Sequence, residues 1–133
     1  MSDPTEPPWI TYPQAFALHS RQLRRFGGAP GLRDEGMLQS ALERPLNKWR
    51  YEQCQLPELA AAYAFGLAKN QAFVDGNKRI AFMSMMLFLD RNGVVLDPDP
   101  AQATSIILSL AAGEVSEESL TRWIRDNWPA APV

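Results

Sequence analysis

Phe73-Val74-Asp75-Gly76-Asn77-Lys78-Arg79 gathers an acid, a glycine, a carboxamide and two adjacent cations immediately ahead of a long apolar stretch. Each residue type has a use if that stretch is a helix. The first N–H groups of a helix lack intrahelical partners and carry partial positive charge, which suits them to an anion such as phosphate. Gly76 permits close backbone approach and positive φ. Lys78 supplies a point charge, and Arg79 a planar fork that matches phosphate oxygens. Asp75 is an oxygen ligand suited to Mg²⁺ beside those phosphates. Asn77 can bond phosphate or backbone, and Phe73 anchors the loop in the core. The same Asp-Gly-Asn string also makes an ordinary solvent turn. What separates this one is its position between two apolar segments, with a Lys-Arg pair leading into the second.

The elements that hold the loop can be read from pattern and punctuation. Residues 1–9 read as a flexible lead-in, since Met1 to Pro8 holds three prolines and two acids, too polar to build a core. Trp9-Ile10 is a short extended piece. Residues 10–128 form one domain, and 129–133 a loose tail. Thr11-x-x-Gln14 is a capping box with Pro13 in the first turn, starting a helix that Gly27-Gly28 stops. A second helix is expected from about Asp34 to Glu43, ended by Pro45, with residues 46–56 irregular. A third runs from about Pro57 to Asn70, its small residues (Ala60, Ala61, Ala62, Ala64, Gly66, Ala68) fitting close helix packing. Arg79 to Asn92 is apolar nearly all round and is expected to be the buried central helix. Asp99-Pro100-x-Gln102 opens a helix ending near Gly113, and Ser116-Glu117-Glu118 opens the last, through Trp123 to about Asn127. The fold class is all-α, a bundle around a central buried helix with at most short extended segments.

Composition narrows the rest. With 133 residues and 46% hydrophobic content, the chain has the apolar mass for a single core. Thirteen basic against fifteen acidic residues, net charge −2, is not the basic footprint of a nucleic-acid binder. No apolar run reaches the roughly 18 residues of a membrane span, and the polar start is no secretory signal. A cytoplasmic protein is the expectation, with the lone Cys54 fitting a reducing compartment. Size and the lack of an obvious apolar surface stripe point to a monomer when free.

Other residues have duller readings. His19, the lone histidine, is read as structural and outside the motif, since catalysis would require the first helix to reach the loop. Cys54 is read as inert. Met83, Met85 and Met86 read as core filling rather than an adaptable surface. Arg21, Arg24 and Arg25 read as a solvated face, with docking of an acidic partner the alternative. Trp123 and Trp128 pack the last helix. Lys69 is a helix-end cation or a substrate contact.

Gln71-Ala72-Phe73-Val74-Asp75-Gly76-Asn77-Lys78-Arg79 resembles the signature of the Fic/Doc family in its Doc, or death-on-curing, branch: His-x-Phe-x-Asp/Asn-Gly/Ala-Asn-Lys-Arg. The lysine at 78 marks that branch, since the Fic branch usually has glycine there. Leu18-His19, Arg25-Phe26-Gly27-Gly28, Pro30-Gly31, Leu87-Phe88-Leu89, Arg91-Asn92-Gly93-Val94 and Ala112-Gly113-Glu114-Val115-Ser116 also look like Doc-type segments, so the resemblance covers roughly residues 10 to 127. It implies a Fic fold and a toxin of a toxin–antitoxin pair, neutralised by a helical segment of its antitoxin. It further implies ATP and Mg²⁺ as cofactors, with transfer of the γ-phosphate to a threonine of elongation factor Tu. Fic-type AMP transfer and a non-catalytic nucleotide- or partner-binding module are the alternatives. By the resemblance Asp75 holds Mg²⁺, Gly76, Asn77, Lys78 and Arg79 cradle phosphate, and position 71 carries the base that deprotonates the substrate hydroxyl. Position 71 is glutamine here. An amide cannot accept a proton at neutral pH, and losing a positioned base costs about 10²–10⁴ in rate. Two explanations stay open: a naturally weakened or dead form, or a histidine replaced to spare the cell that makes the protein.

Overall fold

A computed structural model describes residues 6–130, so residues 1–5 of the lead-in expected over 1–9 and residues 131–133 of the tail expected over 129–133 lie outside them. Among the described residues the chain is all-α: α1 (Tyr12–Phe26), α2 (Glu35–Glu52), α3 (Leu56–Asn70), α4 (Asn77–Arg91), α5 (Pro100–Ala111) and α6 (Glu117–Asp126). No helix among them is long and apolar enough to cross a membrane. The starts follow the local chemistry. Thr11 forms the expected capping box with Gln14, and Asp34, Asp99 and Ser116 each accept a backbone N–H of the first turn of α2, α5 and α6. Glu58 reaches back to the Gln55 N–H at the start of α3.

The central helix is α3, not α4. Ten residues of α3 are buried, and α2, α4, α5 and α6 all pack against it. Its small side chains allow this: a Cβ on Gly66 would stand 3.1 Å from Ala41 Cα, so α2 and α3 meet backbone to backbone. In α4 only one side is buried, through Ile80, Ala81, Ser84, Met85, Phe88 and Leu89. Phe82, Met86 and Leu87 are half-buried and Met83 is exposed. The continuous apolar run therefore marks a helix with two apolar faces, one of them outside the core.

Two further expectations fail for identifiable reasons. Pro45 does not end α2, which runs on to Glu52 and absorbs much of the segment read as irregular. A proline inside a helix loses one hydrogen bond and crowds the preceding turn. Pro45 is buried, and close packing on α3 together with the Arg44 and Lys48 ion pairs to the buried Glu117 of α6 hold the helix through it. The chain is also fastened earlier than a lead-in over 1–9 implies. Pro7 is buried. Trp9 stacks on Phe88 and meets Trp49 edge-on. Ile10 N–H donates to Tyr63 Oη at 2.9 Å, and burial pushes the Tyr63 hydroxyl up to about 12.

Two substitutions test this packing. Leucine is a far better helix former than glycine, yet Gly66→Leu is expected to lower unfolding free energy by about 2 kcal/mol, because overpacking the α2–α3 contact outweighs propensity. Ser84 Oγ is fully buried without a hydrogen-bond partner, so Ser84→Ala is expected to raise stability by about 1 kcal/mol. Urea denaturation monitored by circular dichroism reads both, and a stable Gly66→Leu or a weakened Ser84→Ala contradicts the packing described.

Candidate functional site

The loop between α3 and α4 is built on backbone held from several sides. Gln71 ends α3 in the left-handed region, φ 48°, with its side chain exposed. Asn70 Nδ2 ties the same helix end to Met37 O at 2.9 Å. Phe73 then pairs with Leu32 in an isolated antiparallel bridge. Ala72 O accepts the N–H groups of Arg33 and Asp34, and Val74 N–H donates to Gly31 O. The segment after α1, expected only as a connecting loop, is thus a wall of the site.

Asn77 closes the turn. Its Oδ1 accepts Phe73 N–H at 3.0 Å, and its Nδ2 donates to Phe73 O at 2.9 Å. Both ends of the carboxamide are engaged with one residue's backbone, so the Asn77 side chain shapes the loop and does not cap α4. Gly76 takes φ 80° as the residue before α4, with no side-chain cap on that helix. The other helices begin under a side-chain oxygen or a reach-back glutamate, whereas the first N–H groups of α4 face outward with none.

Asp75 is exposed, and each oxygen already accepts a backbone N–H: Gly76 at 2.8 Å and Ala29 at 3.2 Å. Those bonds, Gly76 first, hold the carboxyl below the usual carboxylate range, and the nearby Arg79 adds to the effect. The group is therefore charged at neutral pH, with a lone pair free on each oxygen. No cluster of three or more His, Cys, Asp or Glu able to hold a metal occurs among the described residues. One carboxylate beside an anion site fits Mg²⁺, which commonly takes one or two protein carboxylates and completes its shell with water and phosphate oxygens. It does not fit a metal held by protein ligands alone.

Lys78 and Arg79 are both exposed at the loop's rim. Arg79 Nη1 donates to Gly27 O at 3.3 Å, and its guanidinium lies 5.1 Å from the centroid of the Phe26 ring. The arginine is held toward the loop after α1, with donors to spare. Phe73 is buried, as an anchor should be. Asp75, Gly76, Lys78 and Arg79 thus sit together at the start of α4, and Gln71 is exposed at the end of α3.

Several residues stand apart from that rim or differ from their reading. Lys69 Nζ points at Gly113 in the turn between α5 and α6. Burial pushes the Cys54 thiol up, which fits an inert cysteine. Trp123 and Trp128 pack against the core. Met85 is core, but Met83 and Met86 line a surface groove between α1, α4 and α5, with cavities of about 630 and 560 Å³. Arg21, Arg24 and Arg25 rim one part of it, and Lys78, Arg79 and Phe26 the other. His19 is the buried, hydrogen-bonded structural histidine expected, but it is not remote from the motif. α1 does reach the loop, and His19 lies buried against it, bonded to Asp75 O. The signal for this was the stripe Ala15, His19, Gln22, which falls on one side of a helix and is buried together.

Residues 9–89 match the family model described as the Fic/DOC family. Over 123 residues the chain is 35% identical to the Protein kinase doc of Escherichia phage P1, covering 92% of this chain and 97% of that one. It is 38% identical over 100 residues to the Toxin Doc of Mycolicibacterium smegmatis, covering 71% and 76%. With the helical fold, the Asn77-clamped loop and the uncapped start of α4 carrying Lys78 and Arg79, these matches show that the chain belongs to the Fic/DOC family, in its Doc branch.

Proposed function

We propose that this protein is a Doc-type toxin of a toxin–antitoxin pair whose site binds ATP·Mg²⁺ and whose phosphoryl transfer to a protein hydroxyl is weakened by Gln71. The acceptor, by family resemblance, is elongation factor Tu. The observation that carries this reading is the uncapped N-terminus of α4, set in the family's motif between a charged Asp75 and the Lys78-Arg79 pair. The N–H groups of Asn77, Lys78 and Arg79 bind phosphate oxygens, the two cations offset its charge, and Gly76 keeps side-chain bulk away. Asp75 is the protein ligand for Mg²⁺, which neutralises phosphate charge when bound. The γ-phosphate then has its charge stabilised, yet the hydroxyl that should attack it meets an amide. Gln71 can orient that hydroxyl by hydrogen bonding but cannot take its proton.

The antitoxin has a place in the same reading. The groove between α1, α4 and α5 offers Phe26, Met83 and Leu108 to solvent, with exposures of 54, 37 and 49%. Its cationic rim and apolar floor fit an acidic amphipathic helix. Because Lys78 and Arg79 serve both groove and phosphate site, such a helix would sit beside bound nucleotide. The phage P1 relative's name, Protein kinase doc, supports phosphoryl transfer over AMP transfer.

Restoring the base tests the reading. Gln71→His is expected to raise transfer from γ-labelled ATP to purified elongation factor Tu by about 10²–10⁴, with growth arrest on expression. Label arriving from the α position means AMP transfer instead. A revertant that binds ATP·Mg²⁺ but labels nothing leaves only a non-catalytic binding module.

A further inference from the structure

His19 is the only histidine in the chain and is 3% exposed. Its Nε2 lies 2.7 Å from Asp75 O, across 56 residues of sequence. A carbonyl can only accept, so Nε2 carries the proton and donates. The imidazole lies nearly flat on the Phe73 ring, 3.7 Å between centroids and 12° between planes. A Cβ on Gly76 would stand 3.5 Å from Nε2. The ring therefore stacks on Phe73, bonds to the main chain of Asp75 and lies beside Gly76.

That bond falls where the loop is least able to determine its own shape. Asp75 C=O and Gly76 N–H are two ends of one planar peptide unit. The N–H end is held by Asp75 Oδ1 and the C=O end by His19. Gly76 visits positive and negative φ with similar ease, so its φ of 80° is not enforced by glycine itself. Rotation of the 75–76 peptide would change that φ and swing the start of α4, and it would also break the His19 bond. We infer that His19 is a positioning residue, whose Nε2–H fixes the 75–76 peptide and so keeps the first turn of α4 open to an anion. This rests on the nucleotide-binding reading for its functional consequence, though not for the loop geometry itself.

Three measurements decide it. In the unaltered protein, imidazole ¹⁵N shifts are expected to show the Nε2–H tautomer with a slowly exchanging proton, and an Nδ1–H tautomer overturns the inference. His19→Phe keeps an aromatic ring on Phe73 but loses the donor, while His19→Gln offers an amide N–H at similar reach. In nucleotide-free protein, amide hydrogen exchange over residues 73–79 is expected to quicken about tenfold in the Phe variant, the effect of one lost hydrogen bond, with the Gln variant near the unaltered rate and the amides of α3 unmoved. ATP·Mg²⁺ affinity is expected to fall about tenfold in the Phe variant and to be largely kept in the Gln variant. Equal loop exchange in all three proteins, or equal loss in both variants, overturns the role of His19. An unaltered protein with no ATP·Mg²⁺ affinity overturns the nucleotide reading alone, and loop exchange still decides His19.

Discussion

One carboxamide sets the shape on which the site depends. Asn77 stands first in α4 and spends its side chain on both polar backbone groups of Phe73, four residues earlier. The turn between α3 and α4 is thereby closed by a residue inside the second helix, where a capping side chain would ordinarily come from the residue before it. That preceding residue is Gly76, which has nothing to cap with. The first turn of α4 consequently has no side-chain cap. The cost is an element held together by a few hydrogen bonds to backbone, and these are supplied from both sides by α1 and by the segment from Gly27 to Asp34.

Much of this was legible in sequence because its causes are local. Thr11, Asp34, Asp99 and Ser116 announce helix starts by side-chain chemistry that acts within three residues, and the structure has each of them capping. The motif from Phe73 to Arg79 stood out for the same reason. What was missed depends on partners distant in sequence. Pro45 carries a strong local instruction to stop a helix, and packing on α3 and the Glu117 ion pairs override it. The rank of α3 over α4 as the central helix turns on residue size rather than hydrophobicity, since Gly66 and the alanines let neighbours approach closely. Helical periodicity places His19 on an inward face, but it cannot say that Phe73 and Asp75 lie across from it.

The apolar outer face of α4 follows the same logic. Burial by the chain's own core and burial by a partner leave the same mark in composition, so Met83, Met85 and Met86 looked alike. Only Met85 is in the core. The other two line a groove that shares Lys78 and Arg79 with the loop between α3 and α4. In the reading proposed here, catalysis and neutralisation meet at that pair, and Gln71 removes proton transfer while leaving both binding surfaces in place.

In the function proposed, the uncapped start of α4 is the anion site. Titration of ¹⁵N-labelled protein with inorganic pyrophosphate and Mg²⁺ tests it most directly. Saturable amide shifts led by Asn77, Lys78 and Arg79 are expected, with the capped first turn of α1 unmoved. No saturable change at those three amides, or changes of equal size at the start of α1, would contradict it.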